Sequence, residues 1–164
     1  MSAATLPTSS SASIFPAAAL LAHWQGHRRL TRRVIEAFPE KELLEFSVGN
    51  MRPFGALAME LISIGEPMMQ GFVTGQWNKL DHPAPESKAA ILTLWDAATE
   101  SIDRLWSAFP SERFDETQTA FGMYPGKVYD LLFYAIDNEI HHRGQGYVYL
   151  RALGIAPPPF WERE

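Results

Sequence analysis

The densest concentration of reactive side chains in this chain is Asp137-Asn138-Glu139-Ile140-His141-His142-Arg143-Gly144-Gln145. It puts carboxylates, imidazoles, amides and an arginine into one short segment beside apolar sequence. On a helix, Asn138 and His142 sit one turn apart on one side, and so do Asp137 and His141. Polar groups on a core-facing side cost free energy unless they bind an ion, a ligand or one another. Leu131, Ala135, Asn138, His142, Gln145 and Tyr149 share a side, widened by Leu132, Ile136 and Leu150 into an apolar stripe. That facing turns Asn138 and His142 inward and leaves Asp137, Glu139 and His141 nearer the edge.

A further carboxylate, Glu60, falls within the stripe formed by Leu57, Leu61 and Ile64. A carboxylate and an imidazole facing one another inside a bundle is how helical folds build metal sites. A buried Glu60 needs a proton or a cation, and a divalent ion supplies the charge. The candidate metal ligands are therefore Glu60, Asn138 and His142. Glu139 and His142 repeat the Glu-x-x-His spacing of di-iron bundles, but the facing favours Asn138. The same residues also suit a structural contact in which Glu60 pairs with protonated His142 or with an arginine.

His23 and His27 form a second pair at metal-binding spacing, but Arg28 and Arg29 beside them disfavour a cation. The cluster Arg28, Arg29, Arg32 and Arg33 reads as a solvated helix face offset by Glu36, Glu40 and Glu42. No serine sits in a nucleophile elbow, and no glycine-rich phosphate loop follows a strand.

Four helices must position these residues. The first spans about residues 17–38, with Leu20, Trp24, Thr31, Val34, Ile35 and Phe38 on one side, and Pro39 stops it. A loop over 40–53 follows. The second helix covers about 54–73, where Pro67 predicts a kink or break within one helix. The third, about 86–109, carries Ile91, Leu94, Trp95, Ala98, Ile102, Leu105 and Phe109 on one face. The fourth begins near Gly126 or Lys127 and runs to Leu153, with Gly154 as its cap. Gly144 and Gly146 inside it lower helix stability and suit close approach of another helix or a substrate. No strand pattern is evident. The proline tail is expected to be extended, with Phe160 and Trp161 packing back on the body. The fold class is all-α: a four-helix bundle whose connections are long enough to cross it. Residues 1–16 read as a flexible leader and 17–164 as one domain.

Hydrophobic residues make up 46% of the chain, which supports a proper core. The net charge of −5 argues against nucleic-acid coating. The absence of cysteine removes thiolate metal sites and disulfides and fits the cytoplasm. The apolar runs fall far short of the roughly 20 residues that span a bilayer, so no membrane partner is expected.

With these residues in hand, the chain resembles the DinB-like family of four-helix-bundle proteins, also called the DinB/YfiT type. The likeness lies in the His23-Trp24 region with Phe38-Pro39-Glu40, in Phe54-Gly55-Ala56-Leu57-Ala58-Met59-Glu60, and above all in His141-His142-Arg143-Gly144-Gln145 running into Tyr149-Leu150-Arg151 and Leu153-Gly154-Ile155. The resemblance implies a stress-associated homodimer and a divalent metal held by three histidines. One histidine comes from the second helix and two from an i,i+4 pair on the last. It also implies, for some relatives, transferase or hydrolase-like chemistry on small thiol substrates. At the matching positions this chain has Glu60, Asn138 and His142, so only His142 keeps the pattern. Glu60 is a competent ligand, and Asn138 suits a harder ion better than zinc or nickel. Two functions are therefore expected: an enzyme using zinc, nickel, iron or manganese at a modified site, or a non-catalytic small-molecule-binding or structural homodimer that has lost the metal.

Overall fold

The computed structural model describes residues 16–164. Most of the segment read as a leader, residues 1–15, lies outside the described residues. Helix α1, Ala17–Ala37, starts after Pro16 and ends where Phe38 turns extended ahead of Pro39. Helix α3, Phe54–Thr74, likewise begins after a proline, Pro53, and runs through Pro67 without interruption to Gly75, whose φ of 73° closes it. Helix α4, Lys88–Ser107, is capped by the Ser87 hydroxyl, which accepts from the Ala90 N–H at 3.1 Å. Helix α5, Val128–Ala152, ends in a Schellman-type closure with Ile155 N–H bonded to Leu150 C=O at 2.8 Å and Gly154 at φ 76°.

Two connections differ from the expectation. The 40–53 loop contains a short helix α2, Glu40–Glu45, with Leu43 buried. The connection before α5 contains a 3-10 turn, Ser111–Asp115, and an antiparallel hairpin of β1, Thr117–Ala120, and β2, Tyr124–Lys127. Thr117 pairs with Lys127 and Ala120 with Tyr124. Its tip places Phe121 at φ 54° and Gly122 at φ 70°, the left-handed region that a bulky residue seldom adopts.

Helices α1 and α3 lie on opposite corners, each packing on both α4 and α5. The segments 38–53 and 108–127 therefore join diagonal partners and cross the ends of the bundle. No helix among the described residues is long and apolar enough to cross a membrane.

The core has two apolar halves. One centres on Trp24, Met68, Met69, Phe72, Ile102 and Leu132. The other holds Val34, Phe38, Leu43, Phe54, Ile62, Trp95 and Tyr149. Between them runs a polar layer. On α1 it is Arg28 and Thr31, between Trp24 and Val34. On α5 it is Glu139 and Arg143, between Ile136 and Tyr149. The tail does not cover the body as expected. Phe160 and Trp161 meet edge to face, ring centroids 5.2 Å apart, but remain 62% and 68% exposed.

Candidate functional site

Helix α5 sends consecutive residues to different neighbours. His142 faces α3, where its Nε2 meets Glu60 Oε1 at 3.1 Å. Its Nδ1 meets Gln145 Oε1, one turn on, at 3.1 Å. Both ring nitrogens thus face side-chain oxygens. Gln145 passes its amide to His141, which is exposed. The other oxygen of Glu60 accepts from the Arg52 guanidinium. Arg52 is held in turn at its backbone, because the Tyr149 hydroxyl donates to its carbonyl at 3.0 Å. Partial burial pushes the Glu60 carboxyl up. The hydrogen bonds from Arg52 and His142, reinforced by their charges, outweigh that and hold it below its ordinary value.

Glu60 and His142, two of the three expected ligands, therefore meet. The third does not join them: Asn138 is half-buried and its Nδ2 is buried without a partner. Asp137 and His141 are exposed. The donor set does not fit the three-histidine metal centre that the fold family implies. Among the described residues no group of three His, Asp or Glu side chains is arranged to hold an ion. Each oxygen of Glu60 already has a donor, and the guanidinium of Arg52 supplies the counter-charge that a metal would bring.

Two positions overturn the facing argument. Glu139, expected nearer the edge, is 2% exposed. Arg28, expected on a solvated face, is 1% exposed. They belong to the polar layer. Glu139 accepts from the Thr31 hydroxyl at 2.6 Å and lies 3.9 Å from Arg28 and 3.8 Å from Arg143. Arg28 also donates to Thr99 Oγ1 at 2.7 Å and to the Trp95 carbonyl at 3.1 Å, with its guanidinium 3.9 Å over the Trp95 ring. Burial pushes the Glu139 carboxyl up, against the opposing pull of Arg28, Thr31 and Arg143. Arg143 donates to Thr31 at 3.1 Å and to His27 Nδ1 at 2.8 Å. His27 is buried, whereas His23 is exposed. Their Nε2 atoms lie 3.2 Å apart. A signal for this layer existed in the sequence: Arg28 and Thr31 on α1, and Glu139 and Arg143 on α5, each repeat at helical spacing and are complementary in charge.

One turn from Glu60 along α3, and one turn from Asn138 along α5, a cavity of about 510 Å³ opens. Ser63, Ile64 and Met68 form its α3 wall, and Leu131 and Tyr134 its α5 wall. Phe121 and Tyr124 of the hairpin close another side, with Lys79 and Asp130 also lining it. Its size is that of a small-molecule site. Phe121 is braced by Trp77, whose ring centroid is 5.5 Å away.

Residues 1–163 match the model of the DinB family, and the chain belongs to that family. Its fold is that of a DinB-like protein, YjoA, from Bacillus subtilis. The two superpose with a TM-score of 0.74 at 19% identity, over 88% of this chain and 99% of that one. A DinB-like protein from Bacillus cereus ATCC 10987 gives a TM-score of 0.73 at 19% identity, over 87% and 95%. A comparison with curated proteins found no match.

Proposed function

We propose that this chain is a small-molecule-binding member of the DinB family in which the Arg52–Glu60–His142 cluster stands where relatives would carry a metal. The observation that carries this reading is the satisfied state of Glu60, whose two oxygens are engaged by a guanidinium and an imidazole. The cavity one turn away supplies the binding space. Its apolar walls receive the body of a ligand, and Ser63, Tyr134, Lys79 and Asp130 provide polar contacts.

Elemental analysis of protein purified without a histidine tag tests the first half. The expected result is no stoichiometric divalent ion and no change in melting temperature on adding chelator. A stoichiometric ion that is lost in His142→Ala would instead support the alternative, an enzyme using zinc, nickel, iron or manganese with Arg52 displaced from Glu60. Titration with the uncharged dye Nile red tests the second half. Saturable binding that is lost when Ile64→Trp fills the cavity supports it, and indifference to that substitution counts against it.

We propose that a homodimer, if this chain forms one, pairs through the outer face of α5. Phe133, Ile140 and Val148 are exposed there, and Gly144 leaves open space where a side chain would stand. Sedimentation at low concentration tests it, with Ile140→Asp expected to give monomers.

A further inference from the structure

The larger cavity grades from an apolar floor to a charged rim. Met68, Ala120 and Leu131 line it and are buried. Lys79 and Asp130 line it and are exposed. The other lysines are all engaged: Lys41 pairs with Glu45, Lys88 donates to the Phe38 carbonyl, and Lys127 donates to the Asp115 carbonyl. Lys79 alone among them has no hydrogen-bond or ion-pair partner among the described residues, and Asp130 has none either. Both charges are held by water in the free protein. Each can therefore take an opposite charge from a ligand without breaking an internal contact.

The chain sets the two charges apart. Lys79 follows Trp77 by two residues, and the Trp77 ring lies over Gly71, where a Cβ would come within 2.3 Å of it. That ring meets Phe72 and Phe121 edge to face, with centroids 5.3 and 5.5 Å away. The segment carrying Lys79 is thereby held against the hairpin tip. Asp130 belongs to the first turn of α5, which begins directly after β2 at the base of the hairpin. From Tyr124 to Lys127 strand β2 rises on the order of 10 Å. That length sets the scale of the separation between the ammonium and the carboxylate.

We propose, on the premise that this cavity is the small-molecule site, that its ligand is a zwitterion with its charges at opposite ends of an apolar body. Its carboxylate meets Lys79, its ammonium meets Asp130, and its body lies against Met68, Ala120 and Leu131. A plain anion would set an apolar end against Asp130, and a plain cation would do the same to Lys79, in each case displacing water from a charge without replacing it. A compact zwitterion does not reach both charges and leaves the floor uncovered.

The test is calorimetric titration of the full chain in low-salt buffer, where rim charges are least screened. The ligands are 8-aminooctanoate, octanoate, octylamine and the short zwitterion 4-aminobutyrate. 8-Aminooctanoate is expected to bind at one site, octanoate and octylamine each about fivefold more weakly, the scale of one exposed ion pair, and 4-aminobutyrate weakest. Lys79→Ala should weaken 8-aminooctanoate about fivefold and leave octylamine unchanged, whereas Asp130→Asn should weaken it equally and leave octanoate no weaker. Both positions are exposed, so neither variant endangers the fold. Trileucine, whose charges are also held apart, decides the source: tighter binding than 8-aminooctanoate assigns a short peptide, weaker binding an alkyl zwitterion, and both support the site. Binding of 8-aminooctanoate no tighter than that of octanoate and octylamine overturns the proposal, and so does equal weakening of all three by Lys79→Ala. Nile red binding that is lost in Ile64→Trp, together with no binding of 8-aminooctanoate, keeps the cavity as a binding site and overturns the zwitterion alone. Absence of both overturns both.

Discussion

Glu60 pairs with Arg52 and Glu139 lies beside Arg28 and Arg143, yet their carboxyls shift in opposite directions. Glu60 is partly open to water and is in direct hydrogen-bond contact with Arg52 and His142, which hold it low. Glu139 is enclosed, takes its one short hydrogen bond from neutral Thr31, and has its guanidiniums at 3.8 and 3.9 Å. There burial dominates and the carboxyl rises. Contact distance and desolvation, rather than the identity of the neighbours, set the sign. The first arrangement suits an adjustable surface cluster beside a cavity. The second holds α1, α4 and α5 in register at the centre of the core.

The largest effect should come from breaking the enclosed cluster. Glu139→Ala leaves Arg28 and Arg143 buried without their carboxylate and is expected to cost about 3–5 kcal/mol in urea unfolding. Glu139→Gln should cost less, because a neutral group there keeps a polar partner for Thr31. Relative to Glu139→Gln, the contribution of the carboxyl to stability should weaken as pH rises above about 4.5, the ordinary value from which it is raised. A parallel urea series at pH 4 and pH 7 checks this.

Next is the spacing on which the Glu60–His142 contact depends. A Cβ on Gly146 would lie 2.5 Å from Phe54 Cε2, so Gly146→Ala must displace the buried Phe54 ring or push α3 from α5. The expected loss is about 1–3 kcal/mol. Gly144→Ala, with nothing within 4 Å, should instead raise stability by about 1 kcal/mol. Thermal melts of the two variants separate the inner face of α5 from its outer face. An equal gain in both would mean that propensity, not packing, governs this helix.

His27 gives the enclosed layer its own pH response. Its pKa is lowered from 6.5 to about 3, so below pH 6.5 the unfolded chain takes a proton that the native ring refuses. Stability should fall by about 1 kcal/mol per pH unit as pH drops below 6.5, and this component should vanish in His27→Gln. Unfolding titrations between pH 6.5 and 5 measure it. The smallest effect belongs to the open cluster. Arg52→Ala removes a half-exposed pair and should cost at most about 1 kcal/mol. For Glu60 the sign is opposite to that of Glu139: its contribution is present above pH 4.5 and is lost as pH falls below it. A loss from Arg52→Ala as large as that from Glu139→Ala would erase the distinction between the two regions.

The sequence reading found the long helices because their apolar stripes repeat over several turns and prolines or glycines punctuate them. It also brought Glu60 and His142 together, since each sits within such a stripe. It misplaced Glu139 and Arg28 because α5 is buried on more than one side, and charged residues are normally assigned to the outer face. A helix packed against α1 and α3 at once has no single polar face to fix its phase. The hairpin was missed for a local reason. Thr117-Gln118-Thr119-Ala120 and Tyr124-Pro125-Gly126-Lys127 lack apolar alternation, and Pro125 and Gly126 disfavour a strand. Phe160 and Trp161 were assigned to the body by hydrophobicity alone, whereas the charged Glu162 and Arg163 make the contacts with α1.

Pro67 gives the wall of the larger cavity an unusual inheritance. A proline has no N–H, so the carbonyl of Ser63, one turn earlier, lacks the helix donor it would ordinarily have. Ser63 lines that cavity, and its own hydroxyl is spent on the Met59 carbonyl at 2.9 Å. The acceptor freed on this turn of α3 is thus written into the gene at codon 67 rather than at codon 63. In a mutational scan for ligand binding, position 63 would tolerate other small residues, while the sensitive position would be a proline that never touches the ligand.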